Sequence, residues 1–228
     1  MTVGFEARNN DRYLLIDGTF RNLVYVASGT ATTDTVQDQF SVKTINLNGL
    51  TGYPVVAVQS ETGGYAVVRS YSNGAAVVDF VLLGGTGTSC RYFVYALPTA
   101  APSNFVGLEI YNTAGQLVFS SAYRYMRVVG TVSGHAGPGS AAASLTLPSG
   151  RSYAVIQTAP MAYARVVNQS PIPASQDWFL YSFRGCFAVS SNVVTKVYDE
   201  FAIVHYGQTQ PPGYDMPATA FVLDVTDF

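Results

Sequence analysis

Charged side chains are scarce in this 228-residue chain: they make up 11% of it, against about a quarter of an ordinary globular domain. Lysine occurs only at Lys43 and Lys196, and the formal net charge is −2. No cluster of Lys or Arg exists, so the electrostatic footprint of a nucleic-acid binder is missing. Histidine (His135, His205) and cysteine (Cys90, Cys186) occur twice each. Four such residues scattered along the chain do not make a tetrahedral zinc centre, and the two cysteines read as separate buried thiols. Apolar runs such as "AAVVDFVLL" at 75–83 are too short to span a bilayer. The opening "MTVGFEARNNDR" lacks the basic-then-apolar layout of a secretory leader, which leads us to expect synthesis in a cytoplasm. No long stretch carries a 3.6-residue apolar period with helix caps.

Apolar residues make up 48% of the chain, enough for a real core, and polarity comes from Gly, Ser, Thr, Asn, Gln and 16 Tyr. Runs such as "YAVIQT" (153–158) and "FAIVHY" (201–206) are short, β-branched or aromatic, and bounded by turn formers, which is the pattern of strands. Turn signals recur at roughly the 8–12-residue spacing of β-sandwiches. The expected fold is all-β and antiparallel.

A repeat organises the chain. "VGFEARNNDRYLLIDGTFRNLVYV" (3–26) lies over "VGLEIYNTAGQLVFSSAYRYMRVV" (106–129) at a spacing of 103, with seven of 24 positions identical; ordinary residue frequencies give about one or two. Weaker matches extend it: 45–56 over 145–156, "DFVL" (79–82) over "DWFL" (177–180), and Cys90 near the equivalent of Cys186. The segment "FVLDV" (221–225) echoes "FVGLEI" (105–110), and "ALPTAAPSN" (96–104) has the composition of a linker. These readings predict two tandem antiparallel β-sandwich domains related by internal duplication, 1–103 and 104–228. The segments 28–39 and 133–144 read as matching polar loops.

Chemistry is hard to find. His135 sits in a Gly/Ala/Ser loop with nothing adjacent to orient it, and His205 lies in a strand pattern near Asp199 and Glu200. No Gly-x-Ser-x-Gly elbow accompanies either one. Asp34 and Asp38 lack the Gly and closing Glu of a calcium loop and read as a solvated turn. "GGTGTS" (84–89) has no following Lys and reads as a hairpin turn. Asp79 and Asp177 fall at repeat-equivalent places, which favours structural reuse over an acid/base pair. Trp178 reads as a core residue, because Phe80 stands at its equivalent. No residue is assigned as catalytic, cofactor-binding or metal-binding, and no enzymatic activity is expected.

The stretch 107–121 resembles a family of uncharacterised tail-gene proteins of long-tailed siphophages. Their pattern is Gly-Leu-x-[Val/Ile]-x-Asn-x-x-Gly-x-x-[Val/Ile]-Phe-[Asp/Ser]-Ser. The matching positions are Gly107, Leu108, Ile110, Asn112, Gly115, Val118, Phe119 and Ser121, while Ser120 stands where Asp is frequent. The resemblance implies a structural or adhesion component of a phage tail tip or baseplate, located in the virion. Its expected partners are other tail proteins, in an oligomeric setting, and the alternative is a module binding host-surface glycan. An aromatic–Arg pair persists in both copies, Phe20-Arg21 and Tyr123-Arg124, and is the candidate partner interface. Its competing role is inside the domain, with Arg paired to Glu6 or Glu109.

Overall fold

The computed structural model describes residues 6–8, 14–17, 21–37, 40–98, 106–138, 143–170 and 176–228. Helices are absent among them. The first half carries β1 (Glu6–Arg8), β2 (Leu14–Asp17), β3 (Val24–Thr32), β4 (Thr35–Gln37), β5 (Phe40–Leu47), β6 (Val55–Gln59), β7 (Gly64–Ser72), β8 (Ala75–Leu83) and β9 (Ser89–Ala96). The second carries β10 (Glu109–Tyr111), β11 (Leu117–Ser120), β12 (Val128–Gly134), β13 (Ser144–Thr146), β14 (Tyr153–Gln157), β15 (Met161–Asn168), β16 (Trp178–Ser190), β17 (Val193–Gly207), β18 (Tyr214–Met216) and β19 (Ala218–Asp224).

Apart from two small hairpins, β1–β2 and β10–β11, the strands form two large sheets. The first runs β12-β19-β14-β6-β9-β3; the second runs β13-β17-β16-β7-β8-β5-β4, with β15 attached to β16 and β18 to β15. Strand pairing is antiparallel throughout, as expected. Alternation makes the core. On β8, Ala76, Val78, Phe80 and Leu82 are buried while their neighbours are less so, the two-residue period of a strand with one face inward. The β7–β8 hairpin turns at Asn73-Gly74, whose φ values of 50° and 77° suit the type I′ turn that matches strand twist.

The division into halves survives in the cores but not in the sheets. One cluster belongs to the first half (Val58, Val78, Phe80, Leu82, Val94) and another to the second (Tyr153, Val155, Phe187, Val194, Val222). Each large sheet nevertheless contains strands of both halves, joined where Val58 pairs with Val155 and Gly64 with Phe187. The expectation of two separate tandem sandwiches is thus corrected to two lobes fused edge to edge. The second seam needs glycine: a Cβ on Gly64 would lie 2.3 Å from Leu82 Cδ2 and 2.9 Å from the Val81 carbonyl.

A third cluster lies on the outer face of the six-stranded sheet and also joins the halves. Ala57, Phe93 and Tyr95 meet Ala154, Leu223 and Val225 there, with Met126 and Phe228 packed over them. The segment after β11 closes this face. Tyr25 N–H donates to the Arg124 carbonyl (2.7 Å), Met126 N–H to Leu23 (3.0 Å), and Asp224 N–H to Arg127 (3.0 Å).

The 103-residue spacing is visible in the strand register. Glu6 pairs with Asp17 and Glu109 with Ser120, and both hairpins shift register at the same step, Ala7/Arg8 and Ile110/Tyr111. β3 and β12 each carry a bulge at matching positions, Val26 and Val129. Other alignments fail. β19 stands in its sheet where β9 stands from the opposite edge, so "FVLDV" corresponds to "FVYAL" at 93–97, not to 105–110. Phe80 lies on β8 and Trp178 on β16, while Cys90 lies on β9 and Cys186 on β16; neither pair occupies counterpart strands. Residues 28–32 and 35–37 belong to β3 and β4 rather than a polar loop. Residues 84–88 carry the chain from one sheet to the other, so they are not a hairpin turn.

Candidate partner interface

The motif residues are used locally. Asn112 Oδ1 accepts the N–H groups of Ala114 (3.0 Å) and Gln116 (2.9 Å), while Gly115 takes the left-handed φ of 73° that favours glycine. Ser121 Oγ accepts Leu108 N–H at 3.0 Å, and Ser121 N–H donates back to the Leu108 carbonyl at 2.9 Å. Asn, Gly and Ser at this spacing therefore close the β10–β11 hairpin. Phe119 stacks on Tyr125 with ring centroids 5.1 Å apart. The large apolar side chains exposed on this unit are Val106, Leu108 and Tyr111.

The aromatic–Arg pair points inward to the chain's own joints. Phe20 lies outside the described residues. Arg21 Nη2 donates to the Pro98 carbonyl at 2.5 Å. Arg124 Nη1 donates to the Asp227 carbonyl, and its guanidinium lies 5.6 Å from the Phe228 ring centroid. Tyr123 is half-buried beside Tyr25 and Leu97. Glu109, the expected carboxylate partner, instead accepts from the Tyr111 hydroxyl at 2.7 Å. Arg21 and Arg124 each bond within their own half, Tyr123 meets the other half, and Arg124 remains exposed.

Both histidines have carboxylate partners that the sequence did not reveal. His135 Nδ1 lies 2.7 Å from Asp215 Oδ2, and His205 Nε2 meets Asp177 Oδ1 while stacking on Phe179 at 4.6 Å. Asp199 and Glu200, adjacent in sequence, do not supply the His205 contact. Among the described residues no group of three or more His, Cys, Asp or Glu is placed to hold a metal, and no helix is long and apolar enough to cross a membrane. Asp34 is not a bare solvated turn residue: Lys43 Nζ lies 2.5 Å from it and holds its carboxyl below the usual value. Asp38 lies outside the described residues. Trp178 is half-buried, with a buried indole N–H lacking a partner among the described residues, so it is not a fully enclosed core residue.

Cys90 and Cys186 are free and buried. Burial pushes both thiols up to about 12, leaving almost no thiolate at neutral pH. Neither cysteine is expected to react with Ellman's reagent at pH 8 until denaturant is added, when both should. Full labelling of the folded protein would contradict the buried placement.

Several exposed apolar side chains lie on a feature of the second half alone. β16 and β17 have 13 and 15 residues, whereas β7 and β8 have nine each. The extra length carries the hairpin past the sandwich, with β15 alongside β16 and β18 alongside β15. Ile203 and Val204 point to opposite faces of this ribbon, yet they are 54% and 44% exposed. Tyr206 on β17 and Tyr214 and Met216 on β18 are exposed as well. Among the described residues, β17 beyond Lys196 has a strand on one side only.

Comparison of the chain with known protein families, with curated proteins and with solved structures finds no match.

Proposed function

We propose that this chain is a structural and adhesion component of a bacteriophage tail tip or baseplate, acting through protein–protein contacts. The observation that carries the reading is the β16–β17 ribbon, whose apolar side chains are exposed on both faces and whose outer edge is open. Exposed apolar patches and open strand edges mark surfaces that another chain covers. The scarcity of charge agrees with this, because the centres of protein interfaces are depleted in charged residues. The motif at 107–121 supplies the link to tail proteins as a resemblance.

The test replaces Ile203 and Val204 together with Asp. Both residues are exposed, so the melting temperature is expected to stay nearly constant, while incorporation into tailed particles is lost. Normal incorporation of the double variant would remove the ribbon from the account. Incorporation of neither the parent nor the variant chain would remove the tail assignment itself.

A further inference from the structure

We propose that the cleft where both halves meet above the six-stranded sheet binds a small neutral polyhydroxylated ligand, a saccharide unit. Thr30, Arg91 and Gln59 lie side by side on β3, β9 and β6, with Arg91 registered to both neighbours. The connection from β6 to β7 forms one wall and brings Glu61 and Thr62; Ser191, at the β16–β17 turn, comes from the other half. The cleft encloses about 530 Å³, within the roughly 300–1,000 Å³ of small-molecule sites.

The walls are already fixed. Val189 N–H donates to the Ser60 carbonyl at 2.8 Å, which ties the connecting loop to the second half, and the Ser60 and Thr62 hydroxyls are 3.1 Å apart. The Arg91 guanidinium rests over the Phe93 ring, 5.1 Å from its centroid. A preformed lining reduces the ordering cost of binding.

The ligand class follows from the lining. Arg91 only donates, the Glu61 carboxylate only accepts, and the Ser and Thr hydroxyls do either. One cation and one carboxylate balance, which disfavours a phosphate as much as an amine. A sugar presents donors and acceptors on every hydroxyl and matches such a mixed wall. Gln59 also lines the cleft, and its Oε1 is buried without a donor among the described residues. The other cleft of similar size, beside Asp34, Arg69 and Asp79, offers less. Its charges are held by closer partners, Lys43 on Asp34 at 2.5 Å, with Thr44 and Arg69 on Asp79 at 2.7 and 3.4 Å, whereas Arg91 Nη2 donates only at 3.4 Å to the neutral Phe228 carbonyl.

This inference is independent of the assembly role. The experiment is saturation-transfer NMR on the full chain with glucose, galactose, N-acetylglucosamine and maltose, each at millimolar concentration, and with inorganic phosphate as the ionic comparison. At least one sugar is expected to bind. Arg91→Ala and Glu61→Ala, both exposed positions, should each weaken it by about tenfold or more, the equivalent of losing one charge-assisted hydrogen bond. The melting temperature of each variant should stay near that of the parent, and phosphate should not compete. Absence of binding by all four sugars, binding indifferent to both substitutions, or a signal from phosphate in place of sugar would each overturn the proposal.

Discussion

Replacing Phe93 with Ala should lower the melting temperature of the whole chain in one transition. Phe93 is fully buried in the cluster that takes Ala57 and Tyr95 from the first half and Ala154, Leu223 and Val225 from the second. Its ring also meets Phe228 edge-on at 6.5 Å. Truncating a buried Phe costs about 3–5 kcal/mol, since the transfer term is lost and the cavity only partly collapses. For a chain of this size that corresponds to a fall of about 6–20 °C. The informative feature is the shape of the melt. Two lobes sharing both sheets and this cluster cannot lose one side without exposing the other, so calorimetry should show a single transition before and after the change. Two transitions, with one unmoved by the substitution, would mean that the halves are independent domains after all.

Replacing Asp224 with Ala is the second change expected to have a large effect. Its side chain is fully buried at the end of β19, between Arg151 Nη1 at 2.5 Å and Arg127 Nη2 at 3.1 Å. Its other oxygen accepts Thr226 N–H at 3.0 Å. Burial alone would raise the carboxyl's pKa; the two hydrogen bonds from Thr226, then the Arg151 bond and the Arg127 charge, outweigh it and leave the pKa below its ordinary 3.8. Removing the carboxylate should cost about 2–3 kcal/mol, the value of charge-assisted hydrogen bonds to a buried group whose half-exposed partners can recover water. The sign of the pH effect follows. A carboxyl with a depressed folded pKa stabilises fully above its unfolded value and loses that contribution as pH falls through the folded one. The parent should therefore lose stability below about pH 4, and Asp224→Ala should show a shallower loss there. Melting temperatures measured from pH 7 down to pH 3 decide it; parallel curves would deny Asp224 this role.

The class of fold was legible because strand signals are local. The Asn73-Gly74 pair and the β-branched and aromatic runs such as 153–158 and 201–206 each specify a turn or a strand without distant contacts. The repeat was legible where it is densest, at 3–26 and 106–129, and its bulges recur at Val26 and Val129. Further along, connections of different length break the spacing. The true partner of "FVYAL" at 93–97 was present at 221–225, and two identical residues, Phe93/Phe221 and Val94/Val222, were the available signal. What could not be read was how the halves meet, because an edge-to-edge seam rests on single pairings, Val58 with Val155 and Gly64 with Phe187. Phe228 over Tyr25 at 4.7 Å is a contact between ends of the chain that no periodicity announces. The histidines' carboxylate partners were illegible for the same reason: Asp215 and Asp177 are remote in sequence from His135 and His205, although His205 is the exposed strand residue its pattern indicated. The aromatic–Arg pair was legible as a repeated feature, but the partners of its arginines, the Pro98 and Asp227 carbonyls, are remote in sequence within each half.

The central claim is that the β16–β17 ribbon is covered by another protein in an assembled tail. A photo-crosslinking amino acid placed at Tyr206, exposed on the ribbon's outer half, tests it most directly in purified particles. The account predicts a covalent adduct between this chain and a tail protein, or a second copy of the chain, with no equivalent adduct from a probe at Val67 on β7. Particles that contain the chain but yield no adduct from Tyr206, or the same adduct from both positions, would contradict it.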